Sequence, residues 1–166
     1  IPRDALTRLI EQVHARNGFV MMDEIYLSLS YGETRQSALA IDDNLIILNS
    51  FSKYFNMTGW RLGWMIVPAH MVEPIEKMAA SLAICAPTLA QHGAIACFEP
   101  DSLALFEQRR ESFRQRRDYL VPALKGLNID VPVTPDGAFY VYGDISAHSC
   151  DSSAFSTALL LSLIHI

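Results

Sequence analysis

Apolar residues recur at Leu6, Leu9, Ile10 and Val13, the i, i+3, i+4, i+7 spacing that turns one helical face toward a core. Asn17-Gly18 follows and predicts the end of that helix, because both residues accept the left-handed backbone that closes one. Phe19 to Met22 is a short apolar run that stops abruptly at Asp23-Glu24. This pattern predicts a buried strand with carboxylates at its C-terminal end. Leu45 to Leu48 reads as a second such strand, giving way to a polar loop from Asn49 to Ser52, and Leu62 to Val67 as a third, ended by Pro68. Helical patterns follow over Met71 to Leu82, Thr88 to Phe98 and, long and charged, Ser102 to Leu124, where Pro122 is expected to bend the last turns. Two further strand-like runs, Asp130 to Val133 and Ala138 to Tyr142, flank the turn signal Pro135-Asp136-Gly137.

Alternation of helix and strand in the first half predicts an α/β layered sheet. The long helix and later strands read as the start of a second domain. With 166 residues, 51% apolar and 19% charged, the chain can build a real core and is not composed like a disordered one. Its formal net charge of -5 gives no reason to expect nucleic acid or an anionic membrane as partner. The basic residues Arg109, Arg110, Arg114, Arg116 and Arg117 share their stretch with Glu107, Glu111 and Asp118, which reads as a solvated helix face. Cys85, Cys97 and Cys150 are odd in number and widely spaced, so neither a disulfide framework nor a zinc site is expected, and a reducing cytoplasm fits best. No metal site is expected.

Ligands of open α/β sheets bind beyond the carboxyl ends of the strands, and two predicted strands end in reactive residues. The first runs into Asp23-Glu24-Ile25-Tyr26. The second runs into Ser50-Phe51-Ser52-Lys53, followed by Thr58-Gly59-Trp60-Arg61-Leu62-Gly63. Asp with Tyr three residues on, then Ser-x-Ser-Lys with Arg eight residues beyond the Lys, resembles the class I/II aminotransferases, which are fold type I enzymes dependent on pyridoxal 5′-phosphate (PLP). The resemblance covers nearly the whole chain to about Leu160, including Gly137-Ala138-Phe139-Tyr140-Val141-Tyr142. It implies an α/β fold: part of the PLP-binding large domain over residues 1–105, a mainly parallel sheet with flanking helices, and the beginning of an α+β small domain over residues 106–160.

The resemblance also implies roles. Lys53 would hold PLP as a Schiff base and, once displaced by substrate, act as the base at the substrate Cα. Asp23 would keep the pyridine nitrogen protonated, which makes the ring a better electron sink. Tyr26 would donate a hydrogen bond to the cofactor's phenolate oxygen. Ser50, Ser52 and Arg61 would bind the phosphate, the guanidinium through its planar two-pronged contact. Each residue has a plainer reading: a solvated loop lysine, an Asp turn cap, a core tyrosine, a polar turn and a surface arginine. Glu24 and the histidines His14, His70, His92 and His148 read as structural, since none has a reactive partner at readable spacing.

The implied reaction moves an amino group between an amino acid and a 2-oxo acid in two half-reactions. A homodimer is implied for the full-length protein. The family's ring-stacking aromatic, its N-terminal phosphate-binding turn, its upstream Asn and its carboxylate-binding Arg are not found in this chain, so the 166 residues alone are expected to be inactive. Two alternatives stay open: a C–S lyase of the same fold, and the PLP-sensing domain of a transcription regulator. Leu161 to Ile166 resembles the translated end of an adapter used in DNA library preparation, so residues 161–166 are expected to be a non-native tail.

Overall fold

The computed structural model describes residues 1–32 and 36–163; residues 164–166 of the expected non-native tail lie outside them. The chain forms two compact units, Ile1–Arg110 and Glu111–Ile166.

The first unit opens with helix α1, Arg3–His14. Asn17 takes a φ of 56°, and the amides of Asn17 and Gly18 turn back to the carbonyls of His14 and Val13. This is the left-handed closure expected of Asn-Gly. Three strands follow: β1, Met21–Asp23; β2, Ile46–Ser50; and β3, Gly63–Ile66. They lie in the order β1-β2-β3. β1 pairs in parallel with β2, Asp23 opposite Leu48, and β2 pairs antiparallel with β3, Ser50 opposite Gly63.

The sheet is therefore mixed among the described residues, where a mainly parallel one was expected. The connections explain it. The chain between β1 and β2 is long enough to cross over, whereas only a loop without a crossover helix joins β2 to β3, so the chain reverses. One apolar cluster, Ile10, Val20, Ala38, Leu45 and Ile47, seats α1 on the sheet. A second, Met57, Ala94, Cys97 and Phe106, lies under the loop after β2. It draws on helix α3, Thr88–Ala96, and the early turns of helix α4, Pro100–Gly126. Helix α2, Ala69–Leu82, starts at Pro68 and carries Pro74 within it.

In the second unit, α4 continues past Pro122 to Gly126. The strands expected over Asp130 to Val133 and Ala138 to Tyr142 do not form. An isolated bridge joins Asp130 to Asp144, through bonds of 3.2 and 2.7 Å. Ala138 has a φ of 59°, which no extended strand tolerates. Helix α5, Ser152–Leu163, is capped by Asp151, whose Oδ1 accepts from the amides of Ser153 and Ala154. Its Leu159, Leu160 and Leu161 are exposed. Among the described residues no helix is long and apolar enough to cross a membrane.

Candidate active site

Parallel pairing of β1 with β2 brings their carboxyl ends side by side, the place where such sheets bind ligands. The Glu24 amide extends the ladder by donating to Leu48 O at 2.9 Å. Asp23 is exposed at this edge, and its Oδ1 accepts from the Ile25 amide at 3.1 Å. That bond turns the chain out of the strand. Tyr26 opens a short 3-10 turn, Leu27–Leu29. Glu24 points the other way into the protein: it is buried, and Oε1 accepts from the Ala38 amide at 2.7 Å and from Ser37 Oγ at 3.1 Å. A structural role for Glu24 matches this placement.

The loop after β2 is tightly bonded to itself. Ser50 Oγ donates to Leu62 O at 3.1 Å and lies 2.9 Å from Ser52 Oγ, while the Ser52 amide donates to Ser50 Oγ at 3.0 Å. Thr58 Oγ1 donates to Ser52 O at 2.6 Å. The Asn56 amide donates to Lys53 O and the Met57 amide to Phe51 O, each at 3.0 Å. Arg61 sits at a φ of 54°, a left-handed conformation uncommon outside glycine. Its Nη1 donates to Thr58 O at 2.9 Å. Gly63 is required where β3 begins, because a Cβ there would stand 2.8 Å from Asn49 O.

Two motifs that lie apart in sequence meet here. Lys53 Nζ lies 5.8 Å from the centroid of the Tyr26 ring, within reach of a cation–π contact. Ser50, Ser52, Thr58 and Arg61 gather in one loop. Hydroxyl donors beside a guanidinium suit a phosphate, and an amine beside a phenol, with a carboxylate at the neighbouring strand end, suits a pyridine aldehyde. The donor set therefore fits PLP. Among the described residues no group of three or more His, Cys, Asp or Glu could hold a metal ion.

One participant was not legible from spacing. Tyr54, beside Lys53, donates its hydroxyl to Glu107 Oε1 at 2.6 Å. Burial, then the hydrogen bond to Glu107 and its charge, push the Tyr54 phenol up to about 12, with Arg110 pulling the other way. Burial raises the Glu107 carboxyl, but bonds from Tyr54 and Arg110 outweigh it and leave Glu107 below the usual range. Glu107 belongs to the stretch read as a solvated face. Arg114 fits that reading, paired with Glu111 and Asp118. Arg110 departs from it by donating Nη1 to Ser30 O at 2.7 Å.

The profile of the family described as aminotransferase class I and II matches residues 1–165. The valine–pyruvate aminotransferase of Mycobacterium tuberculosis is 36% identical over 96% of this chain and 42% of its own length. A probable N-acetyl-LL-diaminopimelate aminotransferase of Bacillus subtilis is 33% identical, over 96% of this chain and 40% of its own. Among solved structures, an aminotransferase from Mycobacterium tuberculosis superposes with a TM-score of 0.90 at 36% identity, covering 97% of this chain and 42% of that one. A Thermus thermophilus aspartate aminotransferase double mutant gives 0.86 at 30% identity, over 96% and 42%. The chain spans about two fifths of the length of these relatives. On its motifs, its fold and these matches, it belongs to the class I and II aminotransferase family.

Proposed function

We propose that this chain carries the lysine side of a PLP site, and that the whole protein moves an amino group between an amino acid and a 2-oxo acid. The observation that carries the reading is the approach of Lys53 Nζ to the Tyr26 ring. It joins the Asp-x-x-Tyr and Ser-x-Ser-Lys segments at one strand edge. When bound, PLP supplies an electron sink for the carbanion at the substrate Cα.

The protein's own residues do the rest. Lys53 would hold the cofactor's aldehyde carbon through its amine, the aldehyde oxygen leaving as water, and as a free amine it would carry the proton taken from the substrate Cα. Asp23 has one oxygen occupied by the Ile25 amide, and its carboxylate would hold a proton at the ring nitrogen. Tyr26 donates to the cofactor's phenolate oxygen. Ser52 would offer its hydroxyl to the phosphate, and Ser50 would do so on exchanging its bond to Leu62 O. Arg61 has one guanidinium nitrogen on Thr58 O, and the rest of its fork would bind the phosphate in two-pronged fashion, which a lysine could not do.

The relatives' names favour amino transfer over elimination or ligand sensing, since each is called an aminotransferase. Substrates are then an amino acid and a 2-oxo acid, and the whole protein works as a homodimer. Three cysteines without a disulfide accord with the cytoplasm. The 166 residues alone are inactive on this reading. The test is Lys53→Ala in the whole protein, assayed with PLP, an amino acid and a 2-oxo acid. Turnover falls by a thousandfold or more, on the order of other losses of a covalent catalyst. A variant that keeps turnover near wild type refutes the reading.

A further inference from the structure

Two segments carry the predicted site residues: the turn after β1, with Tyr26, and the loop after β2, with Lys53. Neither is held only by its own strand. Tyr54 Oη donates to Glu107 Oε1 at 2.6 Å. Glu107 Oε2 accepts from Arg110 Nη2 at 2.6 Å and from Arg110 Nε at 2.8 Å. Arg110 Nη1 in turn donates to Ser30 O at 2.7 Å. Ser30 closes the short turn that starts at Tyr26: its hydroxyl donates to Leu27 O, and the Leu29 amide donates to Tyr26 O. One carboxylate on the first turns of α4 therefore collects both loops.

We propose that Glu107 is a positioning residue for the Lys53 site, fixing the Lys53 loop through Tyr54 and the Tyr26 turn through Arg110. The inference rests on the PLP reading of that site and adds what sets the spacing of its two halves. Charge-assisted bonds of this kind are the strong ones. The packing beside them favours the same geometry: the Tyr54 ring lies 5.6 Å from Phe106, whose side chain is buried, and Phe106 lies 5.8 Å from Phe55. Glu107 is itself half exposed, so its carboxylate contributes little to the core and much to loop placement. The cleft it borders, about 300 Å³, is lined also by Leu27 and Ser28 of the turn that Arg110 holds and by Gly32 just beyond it.

The test uses the whole protein with Glu107→Gln, Tyr54→Phe, their double variant, and Arg114→Gln as a control on the same helix. Amide hydrogen exchange is read in cofactor-free protein, PLP affinity by absorbance titration, and Tm by unfolding. Glu107→Gln is expected to speed exchange in both Tyr26–Ser30 and Lys53–Met57. It also weakens PLP binding by about tenfold, as for loss of a bond to a charged group. Tyr54→Phe affects the Lys53 segment alone and adds nothing to Glu107→Gln there, and Arg114→Gln changes neither segment. Unchanged exchange in either segment of Glu107→Gln overturns the proposal. So does faster exchange with PLP affinity within twofold of wild type, since the carboxylate would then be merely structural. Failure of wild type to bind PLP at all sinks the reading of the site instead, while exchange in the cofactor-free protein still decides the tether.

Discussion

The loops at the carboxyl ends of β1 and β2 and the segment between Leu127 and Asp151 are held by different means. In the first region a three-stranded ladder fixes the loop ends, and each loop is bonded through its own backbone and side chains. In the second, a bridge between Asp130 and Asp144, a bond from Arg117 Nη1 to Pro135 O and a Phe113–Phe139 contact at 5.4 Å set the course of the chain. Residues that must meet a cofactor at fixed spacing need the first kind of support, where ladder geometry leaves a loop few alternatives. The second kind, in which no strand longer than a single bridge is assigned among the described residues, leaves a segment set by individual contacts rather than by a repeating ladder.

The sharpest way to break this contrast is Gly63→Ala. Its Cβ meets a backbone oxygen at 2.8 Å, so β2 and β3 must part. We expect a loss of about 3 kcal/mol in unfolding free energy, at the upper end for overpacking, read by denaturant titration of the whole protein. Glu24→Ala comes next. It leaves the Ala38 amide without its acceptor in a buried setting, at a cost of about 2 kcal/mol, read by the same titration. Phe139→Ala in the second region removes a half-exposed ring and its contacts with Phe113 and Tyr140. It should cost only about 1 kcal/mol. A larger loss from Phe139→Ala than from Gly63→Ala would reverse the comparison.

The smallest effect is one of pH. The folded Tyr54 phenol titrates at about 12 against an ordinary 10.0, so the folded state keeps a proton that the unfolded state gives up. Its stabilising contribution is complete below the ordinary value and is lost as pH climbs from there through about 12. Unfolding measured across that window should fall more steeply for wild type than for Tyr54→Phe. Equal slopes would remove Tyr54 from the account.

Much of this was legible in the chain, for reasons that differ by element. Helical patterns named α1, α2, α3 and α4, most plainly α1, because a face that repeats every 3.6 residues is a local signal. The apolar runs located β1, β2 and β3 but carried no direction, so the antiparallel return to β3 was invisible. Asp130 to Val133 and Ala138 to Tyr142 look like strands, yet a strand is defined by a ladder and not by its own composition, and no strand is assigned over these runs. The candidate site residues Asp23, Tyr26, Ser50, Ser52, Lys53 and Arg61 were named through the resemblance of two compact motifs to the family, and the structure brings Lys53 and Tyr26 of those motifs together. Tyr54 and Glu107 were not, since a hydrogen bond across that much sequence leaves no periodic trace.

On the proposed reading, Lys53 is the amine that takes the cofactor. The most direct test is to incubate the whole protein with PLP, reduce with borohydride, digest, and locate the pyridoxyl mass by tandem spectrometry. The account predicts the label on Lys53, absent from Lys53→Ala. A label on Lys77 or Lys125, or none on any lysine, would contradict it.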